Sequence, residues 1–226
     1  MKTKRIIKII IVTIILSSCA PMYIPNKVNA PLLSNKKELQ ASVNAGICGF
    51  DPQFAYALTD KVGLMLNGSF NNTKDDCHKF VELGAGYYKS LDKTTRFEVF
   101  TGFGYGKYES NSDFIILGSD VNYSSKVDAY RFFIQPDIGI TNKIIDASFT
   151  PRFVIFSATN KDISYNRTFL EPTLTFSAGY QYVKFIMQIG ASFPLSSSAI
   201  DYEPLILSVG IHARLFRNYD NSKTVY

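Results

Sequence analysis

The sequence predicts an all-β protein, an antiparallel up-and-down transmembrane β-barrel of about ten strands (eight to ten), following a cleaved export signal. Three observations predict it. Apolar and polar residues alternate with period two through most of the chain after Lys37, the periodicity of a strand whose two faces meet different surroundings. Connections between the alternating stretches are short and long in turn, except that Gly49–Pro52 is short where a long one is due. The polar stripe is rich in glycine and in charges of both signs, whereas the apolar stripe is nearly free of charge.

Taken in order, Lys2, Lys4, Arg5 and Lys8 form a positive n-region, Ile6 to Leu16 an apolar h-region, and Ser17–Ser18 a small-residue cleavage zone, so residues 1–18 read as a signal peptide. The apolar run is shorter than the roughly 20 residues of a spanning helix. Leu16-Ser17-Ser18-Cys19 resembles the bacterial lipobox. The resemblance implies that Cys19 becomes the mature N-terminus, carrying a diacylglyceryl thioether and an acylated amine; no other cofactor is expected. Residues 19–37 contain Pro21, Pro25 and Pro31, which oppose helix and favour extended chain, and read as a periplasmic tether.

The barrel is expected over residues 38–217 and a polar tail over 218–226. In ELQASVNAGIC, Leu39, Ala41, Val43, Ala45 and Ile47 are apolar and the residues between them are not. The template recurs at Gln53–Thr59, Val62–Asn71, Phe80–Lys89, Arg96–Tyr108, Ala129–Ile140, Ile145–Phe156, Leu170–Gln181, Val183–Pro194 and Leu205–Phe216. Short links fall at Thr59–Lys61, Ser90–Thr95, Thr141–Lys143 and Tyr180–Tyr182, and longer polar ones at Asn72–Lys79, Glu109–Asp128, Ser157–Phe169 and Leu195–Pro204. Outer-membrane barrels have tight periplasmic turns and longer outside loops. An even strand count places both barrel ends on the periplasmic side, where a lipid on Cys19 in the inner leaflet would need the first strand to begin.

Charge excludes one class of partner. Without the signal the chain carries 20 Lys and Arg against 19 Asp and Glu, and lacks the concentrated basic face that nucleic acid requires. The expected partners are outer-membrane lipid and an extracellular ligand or protein at the long loops. Gly84, Gly86, Gly102, Gly104, Gly106, Gly139, Gly179, Gly190 and Gly210 share the polar stripe, as suits a crowded concave wall, while Gly68 sits on the other. Among them stand Arg96, Glu98, Arg131, Asp137, Asp146, Arg152, Glu171, Lys184 and Arg214, read as a lumen charge network in which Arg96 pairs with Glu98, Arg131 with Asp137, and Arg152 with Asp146 or Glu171. Tyr87, Tyr105, Tyr130, Tyr180 and Phe193 lie near strand ends, where an aromatic girdle belongs.

CAPMYIPNKVNAPLLSNKKELQASVNAG followed by FAYALTDKVGLMLNGSF resembles the N-terminal region of outer-membrane β-barrel lipoproteins of Bacteroidetes, on a Tyr-x-Pro step (Tyr23, Pro25), a Pro-Leu-Leu step (Pro31–Leu33) and an AYALTD strand end. Lys36-Lys37-Glu38 departs from the KGE-like step usual there. The resemblance covers about the first 50 mature residues and implies no catalytic residues.

Candidate chemistry is sparse. Asp75-Asp76-Cys77-His78 lacks metal-ligand spacing and reads as a solvated loop tip, so no metal is expected. His212, beside Arg214 on the polar stripe, reads as a lumen hydrogen-bonding group. Gly102–Tyr108 lacks the following helix that a phosphate-binding loop needs. Cys48 and Cys77 fall at one rim in an oxidising compartment; a disulfide there would close a loop of about 28 residues, worth about 3–4 kcal/mol. The expected function is a non-catalytic structural or surface-interaction role. A small-solute channel or transport accessory, and a periplasmic lipid-anchored soluble carrier, are the alternatives.

Overall fold

The computed structural model describes the backbone of residues 23–72, 76–116, 119–160, 163–196 and 202–218. The signal, Cys19 and the tail beyond Asn218 lie outside the described residues. The strands are β1 (Leu39–Gly46), β2 (Gly49–Ala57), β3 (Val62–Asn72), β4 (Asp76–Ser90), β5 (Thr95–Ile116), β6 (Ser119–Thr141), β7 (Ile145–Asn160), β8 (Ile163–Gly179), β9 (Val183–Ala191), β10 (Phe193–Pro194) and β11 (Leu205–Leu215). Each of β1 to β8 pairs antiparallel with its successor, and β11 lies between β9 and β1, which closes the sheet. The two-residue β10 prolongs β9 along β8 beyond Ser192. The result is a ten-stave barrel, with no helix among the described residues.

Period-two alternation survives as alternation in burial. Along β9 the even positions are enclosed and the odd ones exposed, and β2 and β3 alternate likewise over most of their lengths. The exposed set is apolar: Leu64, Leu66, Val81, Leu83, Phe103, Phe132, Ile134, Phe149, Leu174, Met187, Val209 and Ile211 project outward around the circumference. The enclosed set includes Glu82, Glu98, Arg131, Asp137, Arg152, Glu171 and Lys184, while Lys79, Lys89, Lys107 and Asp128 are exposed near strand ends.

Proline marks the lapses in the ladders. The β6–β7 pairing stops at Ile134↔Phe153 and resumes at Ile138↔Phe149, spanning Pro136 and Pro151, neither of which has an N–H to offer. The long polar connection expected over Glu109–Asp128 is mostly strand: β5 and β6 stay paired out to Ile116↔Ser119. Its polar, serine- and asparagine-rich sequence hid a ladder that continues past the apolar belt, because outside the belt the two faces need not differ.

Candidate functional site

The lumen is occupied by the protein's own N-terminal segment. Residues 23–33, read from the sequence as a tether outside the barrel, are buried except for the partly covered Ala30. Tyr23 lies at the long-loop end, bridged to Tyr202 in the β10–β11 connection and accepting a backbone hydrogen bond from Glu203 (2.9 Å). Lower down, Lys27 and Val28 meet Gln53 and Gln188 at mid-strand. Leu32 and Leu33 reach Glu98, near the short turns. There Lys36 N–H bonds Asp60 (3.2 Å), in the β2–β3 turn, and the chain enters β1.

Composition explains why this segment is stable inside and not beside the barrel. Enclosed backbone polar groups need partners, and with Pro25 and Pro31 the strap has two fewer amides to satisfy. Wall side chains supply the rest. Gln188 donates to Val28 C=O (2.9 Å) and accepts from Val28 N–H (2.8 Å), standing in for a neighbouring strand. Gln53 donates to Lys27 C=O (2.6 Å) and Gln135 to Asn29 C=O (2.7 Å). Leu32 takes a left-handed φ of 52°, which turns the Leu32 and Leu33 amides onto the Glu98 carboxylate at 2.9 and 2.5 Å. The glycine stripe gives room for the contents: a Cβ at Gly63 would stand 2.5 Å from Leu33 Cδ1, and one at Gly106 only 2.1 Å from Phe80 Cδ2. The cavity beside Lys27, Gln40, Gln53 and His212 holds about 10 Å³, at or below the size of one water.

All nine charged residues of the expected network are buried in this interior, but the expected pairs do not form. Glu82, which sequence reasoning missed, is the hub: its Oε1 accepts from Arg131 Nη1 at 2.9 Å and Arg152 Nη2 at 2.7 Å. Arg131 also donates to Ile24 C=O and lies over the Tyr23 and Phe80 rings (4.9 and 4.4 Å to centroids), while Arg152 lies over Phe133 (4.3 Å). Asp146 holds Lys184 and Arg214 at 2.9 and 3.0 Å. Asp137 accepts from Thr150, Glu171 accepts from Tyr23 and Ser192, and Arg96 donates to Ser34 and to turn carbonyls of residues 92, 93 and 95. Glu38, also missed, holds Arg217 (3.3 Å). The expectation used sequence proximity along and between strands. The strap instead takes Glu98, shares Glu171 with Ser192, and leaves Arg131 and Arg152 to converge on Glu82.

The cysteine expectation is corrected. Cys48 and Cys77 are both free, since Cys48 Sγ, in the β1–β2 turn, is turned toward Leu205 C=O (3.7 Å) and β3 runs between β2 and the β4 strand that carries Cys77. His78 is not a solvated loop residue; it is buried with Nε2 3.0 Å from Ser69 Oγ. His212 is buried against Gln40 Oε1 (2.9 Å), and among the described residues no group of His, Cys, Asp and Glu is placed to hold a metal. The five girdle aromatics are exposed, Tyr105 and Tyr130 packing at 5.2 Å toward the long-loop end, where Tyr105 donates to Asp128 (2.7 Å). At the opposite end the β4–β5 turn is fastened by Asp92, whose carboxylate accepts from Thr94 N–H, Thr95 N–H and both threonine hydroxyls, at 2.7 to 3.2 Å; these donors pull its pKa well below the usual carboxylate range.

No family model matches the chain, and no curated protein matches it. Among solved structures, the N-terminal β-barrel domain of OprF from Pseudomonas aeruginosa aligns at TM-score 0.36 and 11% identity, covering 80% of this chain and 100% of that one. LpxR from Salmonella typhimurium aligns with the same score, identity and coverage.

Proposed function

We propose that the protein is an outer-membrane β-barrel lipoprotein with a structural or surface-interaction role, closed to solutes by its own N-terminal strap and without catalytic activity. One observation carries the reading: the closed barrel is inverted, with apolar side chains exposed around its circumference and charges enclosed. In water that arrangement would expose far more contiguous apolar surface than a soluble monomer carries. In a bilayer it is the arrangement lipid demands, because a cation on the lipid face costs about 2–4 kcal/mol at the midplane. The exposed aromatics near both strand ends suit the two interfaces, and the short turns suit the periplasmic side.

The anchor and partners complete the proposal. Leu16–Cys19 supports acylation of Cys19, and outer-membrane lipid is the first partner. The paired extension of β5 and β6 beyond the belt offers the surface for an extracellular ligand or protein. The Ser69–His78 contact supports no catalytic role, since both residues are enclosed in the wall.

Fractionation tests this. The protein should remain with the outer membrane after alkaline carbonate extraction and run faster on a gel unheated than boiled. Labelled palmitate should enter the wild type and not Cys19→Ala. Release by carbonate would contradict the barrel reading; equal labelling of the two proteins would contradict the lipoprotein reading.

A further inference from the structure

The direction of the strap decides which side of the membrane receives the N-terminus. From β1, which starts at the short-turn end, the chain read backwards climbs past Glu98, then Gln135 and Gln188, then Arg131, and arrives at Tyr23 beside Tyr202 and Glu203. The ten links from Tyr23 to Leu33 reach about 33–36 Å when extended, enough to cross an apolar band of about 25 Å. The segment therefore traverses the barrel. It does not fold back: its contacts advance in one order along the axis.

We infer that the N-terminal strap is threaded through the barrel, so that the chain ahead of Tyr23 emerges on the long-loop side, at the cell surface. This rests on the membrane-barrel reading and overturns the expectation that Cys19 sits at the periplasmic leaflet. Four links separate Cys19 from Tyr23, a reach of at most about 14 Å. That cannot span an apolar band of about 25 Å back to the periplasmic side, and the lumen is already filled. Acyl chains on Cys19 therefore enter the outer leaflet from the surface side, and their partner is outer-leaflet lipid.

The upper end of the strap is built to be held. The Tyr23 ring stacks on Phe169 at 4.0 Å and meets Phe156 edge-on at 4.8 Å, its hydroxyl donates to Glu171, and Arg131 donates to the next carbonyl, that of Ile24, at 2.9 Å. These contacts fix the exit as well as the path. They also imply an order of assembly. A diacylated cysteine cannot pass through a lumen of this packing, so β11 closes onto β1 around a strap already in place.

Epitope accessibility tests the inference on the full-length lipoprotein. One short epitope is inserted between Ala20 and Pro21; in separate variants the same epitope is placed in the Asp92–Lys93 turn and at the β5–β6 tip. The N-terminal and β5–β6 epitopes should bind antibody on intact cells at a level that permeabilisation does not change, and the turn epitope should bind only after permeabilisation. An N-terminal epitope reached only after permeabilisation, with the β5–β6 epitope accessible throughout, would overturn the threading. So would an N-terminal epitope detected on denaturing blots but bound in neither native state. If instead the turn epitope binds on intact cells and the β5–β6 epitope does not, or the protein proves carbonate-extractable, it is the barrel reading that fails.

Discussion

Replacing Glu82 by Gln removes one charge from a site where two guanidiniums converge. Glu82 Oε1 lies 2.9 Å from Arg131 and 2.7 Å from Arg152, and all three side chains are at most 1% exposed. Gln preserves the volume and one acceptor, so no cavity is made; what changes is the electrostatic balance. Breaking a buried ion pair by removing one partner costs about 3–5 kcal/mol, because the remaining charge is enclosed without compensation. Two arginines lose their carboxylate here, and the cation–π contacts, worth about 2 kcal/mol each when desolvated, survive in both states. The expected loss is therefore about 3–5 kcal/mol. With a urea m-value of about 2–3 kcal/mol/M it lowers the unfolding midpoint by about 1–2.5 M in lipid vesicles. Glu109→Gln, which removes the exposed partner of Lys126, should cost no more than about 1 kcal/mol. Adding Arg152→Met to Glu82→Gln should recover part of the loss. A midpoint for Glu82→Gln within error of Glu109→Gln would refute the hub.

Other consequences concern the strap, the wall and a turn. Tyr23→Ala deletes the ring packed on Phe156 and Phe169 and leaves Glu171 with Ser192 as its remaining side-chain donor, and should cost about 3–5 kcal/mol, seen as a lower urea midpoint and as protease entry into the strap. Gly106→Val forces a side chain against Phe80 and the carbonyl of Lys79, so the heat-modifiable folded band should weaken, with a cost of about 1–3 kcal/mol or more. Asp92 titrates lower folded than unfolded, so its contribution is full above the unfolded value of about 4 and is lost as pH falls through the folded one. The stability gap between wild type and Asp92→Asn should therefore be constant from pH 7 to about pH 5 and shrink only in more acid solution; urea midpoints across that range check the sign.

The barrel was legible because lipid outside and a crowded interior impose opposite demands on alternate residues, and both demands are written one residue at a time. Leu64, Leu66 and Leu83 read as a belt once the alternate stripe carried Gly84 and Gly86. The strap was not legible in the same way. A segment such as Tyr23-Ile24-Pro25-Asn26-Lys27 has no periodicity, since it is surrounded on every side, and its prolines point as readily to an external linker. Its signal lay in the wall instead: Gln53, Gln135 and Gln188 are long neutral amides at mid-strand, where a lumen of paired charges alone has no use for them. Pairing between particular charges was beyond sequence reasoning, because register, set by turns and bulges, decides which arginine faces which carboxylate. The β5–β6 extension escaped because polar faces on both sides erase the period.

The occupied lumen can be put to a single test, recording from the purified full-length protein in planar bilayers. A barrel filled from Tyr23 to Leu33 by its own chain should insert without stable conductance, whatever the polarity of the applied voltage. Sustained openings on the nanosiemens scale from folded, heat-modifiable protein would mean that the strap leaves the lumen or never fills it, and would contradict the reading.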